Sequence, residues 1–214
     1  MKAIAIDGPA AAGKTTTAKM LAEKLGYLYV DTGAMYRAIA VKYRDTRSKN
    51  VEKMLQTTAI RVEKHGVYGQ NVYIDGVNVT GKLREKDISM LASTLSKEPC
   101  VRRFLLDLQR SLAEEHDVVM EGRDIGTVIL PNADTKIFLT ADLTARAERR
   151  LAELRLRGDY NITLDAVREE MQRRDEQDRT RKEAPLRQAE GSILIDNTEL
   201  NAQDTVQAIL TLLS

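Results

Sequence analysis

The chain has 214 residues, with 33 Lys and Arg against 32 Asp and Glu, a net charge of +1. That balance excludes bulk attraction to nucleic acid or an anionic membrane surface, and a 43% hydrophobic content excludes a disordered chain. Aromatics at 4% with no Trp exclude a stacking platform for bases, and the single Cys100 excludes a disulfide framework and suits a reducing cytoplasm.

One α/β domain with a small insert is the expectation at this length. No apolar run approaches the ~20 residues of a membrane span. The first seven residues run into a glycine turn and are too short for a signal peptide. Residues 2–7 alternate little and are mostly apolar, as in a strand buried on both faces of a parallel sheet. A small-residue turn, Gly8 to Gly13, leads to a helix over 14–25. Ala18, Leu21, Ala22 and Leu25 share one face of it, and Gly26 ends it. A second strand is expected at 27–30, then helices at about 34–43 and 51–59.

Between about 60 and 81 the period changes. Arg61-Val62-Glu63, Asn71-Val72-Tyr73-Ile74 and Val77-Asn78-Val79 read as short strands, with Asp75-Gly76 as a hairpin turn. This predicts a small antiparallel insert within the domain. Helices follow at 84–96 and 100–115, separated near Pro99. Residues 117–121 and 136–139 are the third and fourth core strands. Charged helices fill 142–157 and 163–181, Ser192–Asp196 is a fifth strand, and 202–213 is a closing amphipathic helix. Cys100 reads as a small buried apolar residue, and His65 and His116 carry no expected catalytic role. Alternating strands and helices predict a parallel five-stranded sheet covered by helices.

Gly8-Pro9-Ala10-Ala11-Ala12-Gly13-Lys14-Thr15 fits the pattern G-x-x-x-x-G-K-[ST] between a buried strand and a helix. Small residues let backbone N–H groups turn toward phosphate oxygens, and the helix N-terminus adds partial positive charge. Lys14 is a point charge for the β- and γ-phosphates, and the Thr15 hydroxyl suits a Mg²⁺ position. The loop therefore predicts a nucleoside triphosphate with Mg²⁺ on a P-loop nucleoside-triphosphate-hydrolase-like fold.

In an open parallel sheet, ligands sit beyond the carboxyl ends of the strands. Asp31-Thr32-Gly33-Ala34-Met35-Tyr36-Arg37 and Glu121-Gly122-Arg123-Asp124-Ile125-Gly126 both emerge at that edge. Thr32 reads either as a helix N-cap or as a ligand contact, and Arg37 either as an anion clamp or as a solvated side chain. The Arg123-Asp124 pair equally suits a surface ion pair in a turn. Arg174, Asp178 and Arg181 fall at i, i+4 and i+7. That face suits a phosphate and a sugar hydroxyl, and also an ordinary salt-bridge helix. Glu121, at a strand end, is a candidate for positioning Mg²⁺ through water.

Taken together, these three segments, with Ala184-Pro185-Leu186 after the third, resemble bacterial cytidylate kinases over nearly the whole chain. The resemblance implies a nucleoside-monophosphate kinase that moves the γ-phosphoryl of ATP to CMP or dCMP. It implies one kinase domain, with a core at about 1–59, 82–140 and 183–214. The antiparallel insert lies at about 60–81 and a mobile helical lid at about 141–182. It implies that Gly8, Pro9, Ala10, Ala11, Ala12, Gly13, Lys14, Thr15 and Thr16 bind ATP. Thr32, Arg37, Arg123 and Arg181 would hold the acceptor phosphate beside Asp31. Arg174 and Asp178 would lie near the sugar, and Ser93, Arg102 and Asp124 would read cytosine. Thr32 stands where some members carry serine, and the hydroxyl is retained. A monomer is the family expectation.

A carboxylate is a good acceptor for the cytosine N4–H₂ group, whereas uracil presents an acceptor there, so Asp124 suits discrimination against UMP. Lys14 and Arg123 are the expected charge-stabilising catalytic groups. One or two of Arg146, Arg149 and Arg150 are expected to swing onto the transferring group as the lid closes. Three other readings remain at this stage. Another nucleoside-monophosphate or small-molecule kinase would share the loop. A P-loop switch would lack phosphotransfer, although the guanine motif of a GTPase is missing around Asp196-Asn197-Thr198. A nucleic-acid binder would use the arginine-rich stretch, but acids are interleaved there. Residues 141–182 hold ten of the twenty arginines, with one lysine and ten acids.

Overall fold

The computed structural model describes residues 1–66 and 69–213, so two positions of the expected insert, 67 and 68, lie outside the described residues. The apolar run after Lys2 forms β1 (Ala3–Asp7), buried along its whole length. It lies at the centre of a five-stranded sheet with β2 (Leu28–Asp31), β6 (Val118–Gly122), β7 (Thr135–Thr140) and β8 (Ile193–Asp196). The order is β2-β6-β1-β7-β8 and all pairs are parallel. Register brings Asp31 beside Glu121, Asp7 beside Gly122 and Thr140 beside Asp196. The strand ends therefore share one edge, where the switch in connectivity around β1 opens a crevice.

Helices cover both faces. α1 (Lys14–Leu25) and α8 (Ala202–Leu213) pack Ala18, Leu21, Val206 and Ile209 against Ile4, Ile6, Ile137 and Leu139. α1 ends as its glycine predicts. Gly26 is left-handed, its N–H reaches Glu23 O, and Tyr27 N–H reaches Ala22 O, which closes a Schellman motif. On the other face lie α2 (Thr32–Thr46), α3 (Val51–Gln56), α4 (Lys86–Leu95) and α5 (Pro99–Glu115). Their apolar stripes bury Met35, Ile39, Ile88, Val101 and Leu105. Pro99 is the first residue of α5, where its missing N–H costs nothing.

β3 (Ile60–His65), β4 (Gly69–Ile74) and β5 (Val77–Asn78) form a separate antiparallel sheet. Asp75 and Gly76 have φ 51° and 81°, the left-handed pair of a type I′ hairpin. The nearly buried Lys42 of α2 holds this hairpin, with its Nζ 2.7 Å from Asp75 Oδ2 and donating to Thr57 O at 3.0 Å. α6 (Leu143–Leu156) and α7 (Leu164–Thr180) form a helix pair with its own apolar cluster of Ala147, Leu151, Val167 and Met171, which also takes in Ala10.

Four local expectations change. Thr32 is not the N-cap of α2: Asp31 takes that place, accepting from Ala34 N–H at 2.9 Å, and the helix starts earlier and runs on to Thr46. Arg181 lies one residue past the end of α7 in extended backbone, not on the helical face. Cys100 is only partly buried, packed at the margin of the core beside the exposed Pro99. Residues 125–129 form a wide π-type turn, and residues 80–84 a 3₁₀ turn, neither of which periodicity signals. Among the described residues, no helix is long and apolar enough to cross a membrane.

Candidate active site

The phosphate loop is forced by close packing. A Cβ at Gly8 would sit 1.9 Å from the Leu139 carbonyl oxygen, so only glycine lets β1 turn beneath β7. Ala11 and Gly13 are left-handed and curl the loop around the start of α1. Lys14 is buried and donates from Nζ to Pro9 O at 2.7 Å. Burial, then the charges of Arg123 and Arg174, pulls its pKa well below the ordinary lysine range, against the opposing pull of Glu121. Thr15 and Thr16 are exposed at the head of the helix.

Behind the loop, Glu121 is buried at the end of β6 and accepts from Tyr29 OH at 2.7 Å. Burial, then the Asp31 charge, raises its pKa, while Lys14, Tyr29 and the Thr15 hydroxyl act to lower it. Thr32, also buried, donates to Glu121 O at 2.8 Å. A Cβ at Gly122 would lie 2.6 Å from that hydroxyl, so glycine is what lets α2 approach β6 here.

The acceptor-side residues converge as carboxylate–arginine pairs. Arg37 donates to Asp31 Oδ2 at 2.7 Å. Arg123 donates from Nε to Asp178 Oδ2 at 2.9 Å, bridging β6 to α7. Asp124 meets Arg102 at one oxygen and Arg181 at the other, the latter at 3.5 Å. Asp178 and Asp124 are both buried, so neither the surface ion pair nor the solvated helix face describes this cluster. Burial raises the Asp124 pKa, against the two guanidiniums. Burial also pushes Asp178 up, but Arg123 and Arg174 outweigh it and hold it below its ordinary range. Arg174 has a buried Nε with no hydrogen-bond partner, and burial, then Arg123, lowers its pKa to about 10. Tyr36 lies beneath Arg102, whose guanidinium carbon is 5.8 Å from the ring centre. Ser93 joins only at a distance: Ser96 donates to Ser93 O, and Arg102 donates to Ser96 O.

The three arginines of α6 sit in three different settings. Arg146 is buried, donating to Ala141 O at 2.9 Å and Ala10 O at 3.0 Å, and it pairs with Asp175 at 2.6 Å. Asp175 in turn accepts from Ala10 N–H at 3.0 Å. Arg149 donates to the side chain and carbonyl of Asn197 and to Thr198 O, and Asn197 Nδ2 reaches Ala12 O at 3.0 Å. Arg150 pairs with Glu153 at 3.0 Å on the open side of the helix.

Sequence reasoning missed several of these positions. Asp7, Tyr29, Gln70, Asp175 and Asn197 each bond to a candidate site segment across the fold. Tyr29 lay in a strand read only for its hydropathy, and Asn197 in a segment read only for a guanine motif. Asp7 had one available signal, a charged residue ending an otherwise apolar strand directly before the phosphate loop.

Comparison with known proteins follows this geometry. Residues 4–214 match the family model described as cytidylate kinase. A cytidylate kinase of Caldicellulosiruptor bescii is 46% identical over 215 residues, covering 98% of this chain and 94% of that protein. One from Thermotoga maritima is 44% identical over 211 residues, covering 98% and 95%. Among solved structures, a shikimate kinase from Bacteroides thetaiotaomicron superposes with a TM-score of 0.53 at 17% identity, covering 99% of this chain and 98% of that one, a likeness of fold.

Proposed function

The chain belongs to the cytidylate kinase family and phosphorylates CMP with ATP; on that premise we propose how its residues divide the reaction, and that dCMP is a second acceptor. An acceptor phosphate oxygen attacks the γ-phosphorus, the bond to the β–γ bridging oxygen breaks, and ADP leaves with that electron pair. Such a transfer needs positioning and charge stabilisation above all. One observation carries the reading: α7 bonds to both sides, Asp175 accepting from Ala10 N–H of the phosphate loop at 3.0 Å and Asp178 from Arg123 Nε at 2.9 Å, so one helix holds donor and acceptor groups together.

In this reading Gly8 to Thr16 cradle the triphosphate, with Lys14 at its β- and γ-phosphates. Thr32, Arg37, Arg123 and Arg181 take the acceptor phosphate, with Asp31 orienting Arg37. Arg174 and Asp178 face the sugar, and Ser93, Arg102 and Asp124 read the base. Mg²⁺, when bound, neutralises charge on the triphosphate oxygens. The Thr15 hydroxyl and the Glu121 carboxylate are the oxygens that suit it. Among the described residues no cluster of three or more His, Cys, Asp or Glu could hold a metal alone, which fits an ion carried chiefly by phosphate oxygens. Arg150, the least engaged of the three arginines on α6, is the one assigned to the transferring group, while Arg146 and Arg149 brace the pocket. Residues 141–182 act as the lid and 60–81 as the acceptor-side insert of a single cytoplasmic, monomeric kinase domain that needs no nucleic acid or membrane.

An ADP-release assay with CMP, dCMP, UMP, AMP and shikimate tests this. Turnover is expected with CMP and dCMP, weakly with UMP, and not with the last two. Asp124→Asn should cut the CMP-over-UMP ratio of kcat/KM by roughly tenfold, the worth of about one buried hydrogen bond. An unchanged ratio removes Asp124 from base reading.

A further inference from the structure

Asp124 stands at the N-cap of the 125–129 turn, with φ −146° and ψ 27°. An aspartate in that position ordinarily bends back to accept the first free N–H groups of its own turn. Here it makes no such bond. Its two oxygens go instead to Arg102 and Arg181. Of the N–H groups within its reach, that of Gly126 is already occupied, as is the adjoining Ile125 N–H. Asp7, the last residue of β1, accepts from Ile125 N–H through Oδ1 and from Gly126 N–H through Oδ2, both at 2.8 Å. Asp124's own carbonyl accepts from Val128 N–H and Ile129 N–H.

We propose that Asp7 is a positioning residue for acceptor specificity: by capping the 125–129 turn from a neighbouring strand, it frees the Asp124 carboxylate to face the acceptor base. The inference rests on the assignment of Asp124 to the base. A buried charged residue directly before a phosphate loop, only 3% exposed, needs such a reason. Asp7 has no bond to the phosphate loop itself among the described residues. Its two partners both belong to the acceptor-side turn. Without Asp7, two buried N–H groups lie bare next to Asp124, and its carboxylate is the nearest acceptor by chain position. The side chain then caps its own turn and leaves Arg102 and Arg181.

The test measures kcat/KM for CMP and UMP in Asp7→Ala, Asp7→Asn, Asp124→Asn and the double variant Asp7→Ala/Asp124→Asn, with thermal melts alongside. Asp7→Asn keeps one acceptor oxygen and guards against a variant that does not fold. The expected result is a fall in the CMP-over-UMP ratio of roughly tenfold in Asp7→Ala, less in Asp7→Asn, with no further fall in the double variant. KM for ATP should move little. A purely structural Asp7 lowers the melting temperature and both acceptors alike, leaving the ratio intact, and that overturns the proposal. If Asp124→Asn shifts the ratio and neither Asp7 variant does, the trans-cap alone fails. If Asp124→Asn leaves the ratio unchanged, the base assignment fails, and the proposal falls with it.

Discussion

At the scale of single residues, burial decides which charges matter. Asp7 shows this through its acid–base behaviour. Burial pushes its carboxyl up to about 6, against the two backbone N–H bonds, with Asp124 adding to the rise and Lys14 opposing it. A carboxyl with a raised folded pKa contributes stability below its unfolded pKa and loses it as pH rises through the folded one. Stability of the parent chain relative to Asp7→Asn should therefore fall between about pH 4 and pH 7, by up to about 3 kcal/mol. Urea melts of both proteins across that range read the difference directly, and parallel curves would contradict it. The phosphate loop was legible in the sequence because its residues are consecutive and fit a fixed pattern between a strand and a helix. Asp7 was not, because its partners lie 118 and 119 positions away. Asp175 and Asn197 are hidden likewise, with partners 165 and 185 positions away.

At the scale of elements, the Gln70 side chain joins the insert to the site. Gln70 of β4 accepts from Asp31 N–H at 2.8 Å and donates to Asp31 O at 3.2 Å, so it holds both backbone groups of the residue that orients Arg37. Gln70→Ala should raise KM for CMP and UMP together by several-fold, consistent with a net worth of about 1 kcal/mol per hydrogen bond. KM for ATP should stay level, and steady-state kinetics with each substrate varied in turn would separate the two. A rise confined to ATP would contradict it. Strand and helix positions were readable from periodicity, and the hairpin from Asp75-Gly76. The element ends were less so. α2 starts early because Asp31 caps it, and Arg181 turns away past Thr180, where its Nε donates to Ala184 O at 2.7 Å. Both shifts reflect side-chain bonds, and hydropathy carries no trace of them.

Across the whole molecule, the helix pair α6–α7 is fastened to the phosphate loop at one place, where Arg146 near the start of α6 meets Asp175 in the second half of α7. The buried Arg146 and Asp175 hold the carbonyl and the N–H of Ala10, whose side chain packs in the apolar cluster of the pair. Arg146→Met leaves Asp175 without its ionic partner inside the protein. It should cost about 3–5 kcal/mol of stability, the usual effect of halving a buried pair. It should also raise KM for ATP more than KM for CMP. Denaturant melts and substrate-varied kinetics measure both, and a neutral melt would sink the clamp. One last feature acts on the chemistry of the surroundings. The arginines proposed for the acceptor phosphate rest on carboxylates, Arg37 on Asp31 and Arg123 on Asp178. An entering phosphate must therefore share each guanidinium with a carboxylate of its own sign, at a repulsive cost. A nucleotide can meet that cost through contacts of its sugar and base. Sulfate or free phosphate has no such contacts, so if these arginines take the acceptor phosphate, neither anion should compete with CMP at millimolar concentration, which inhibition kinetics would check.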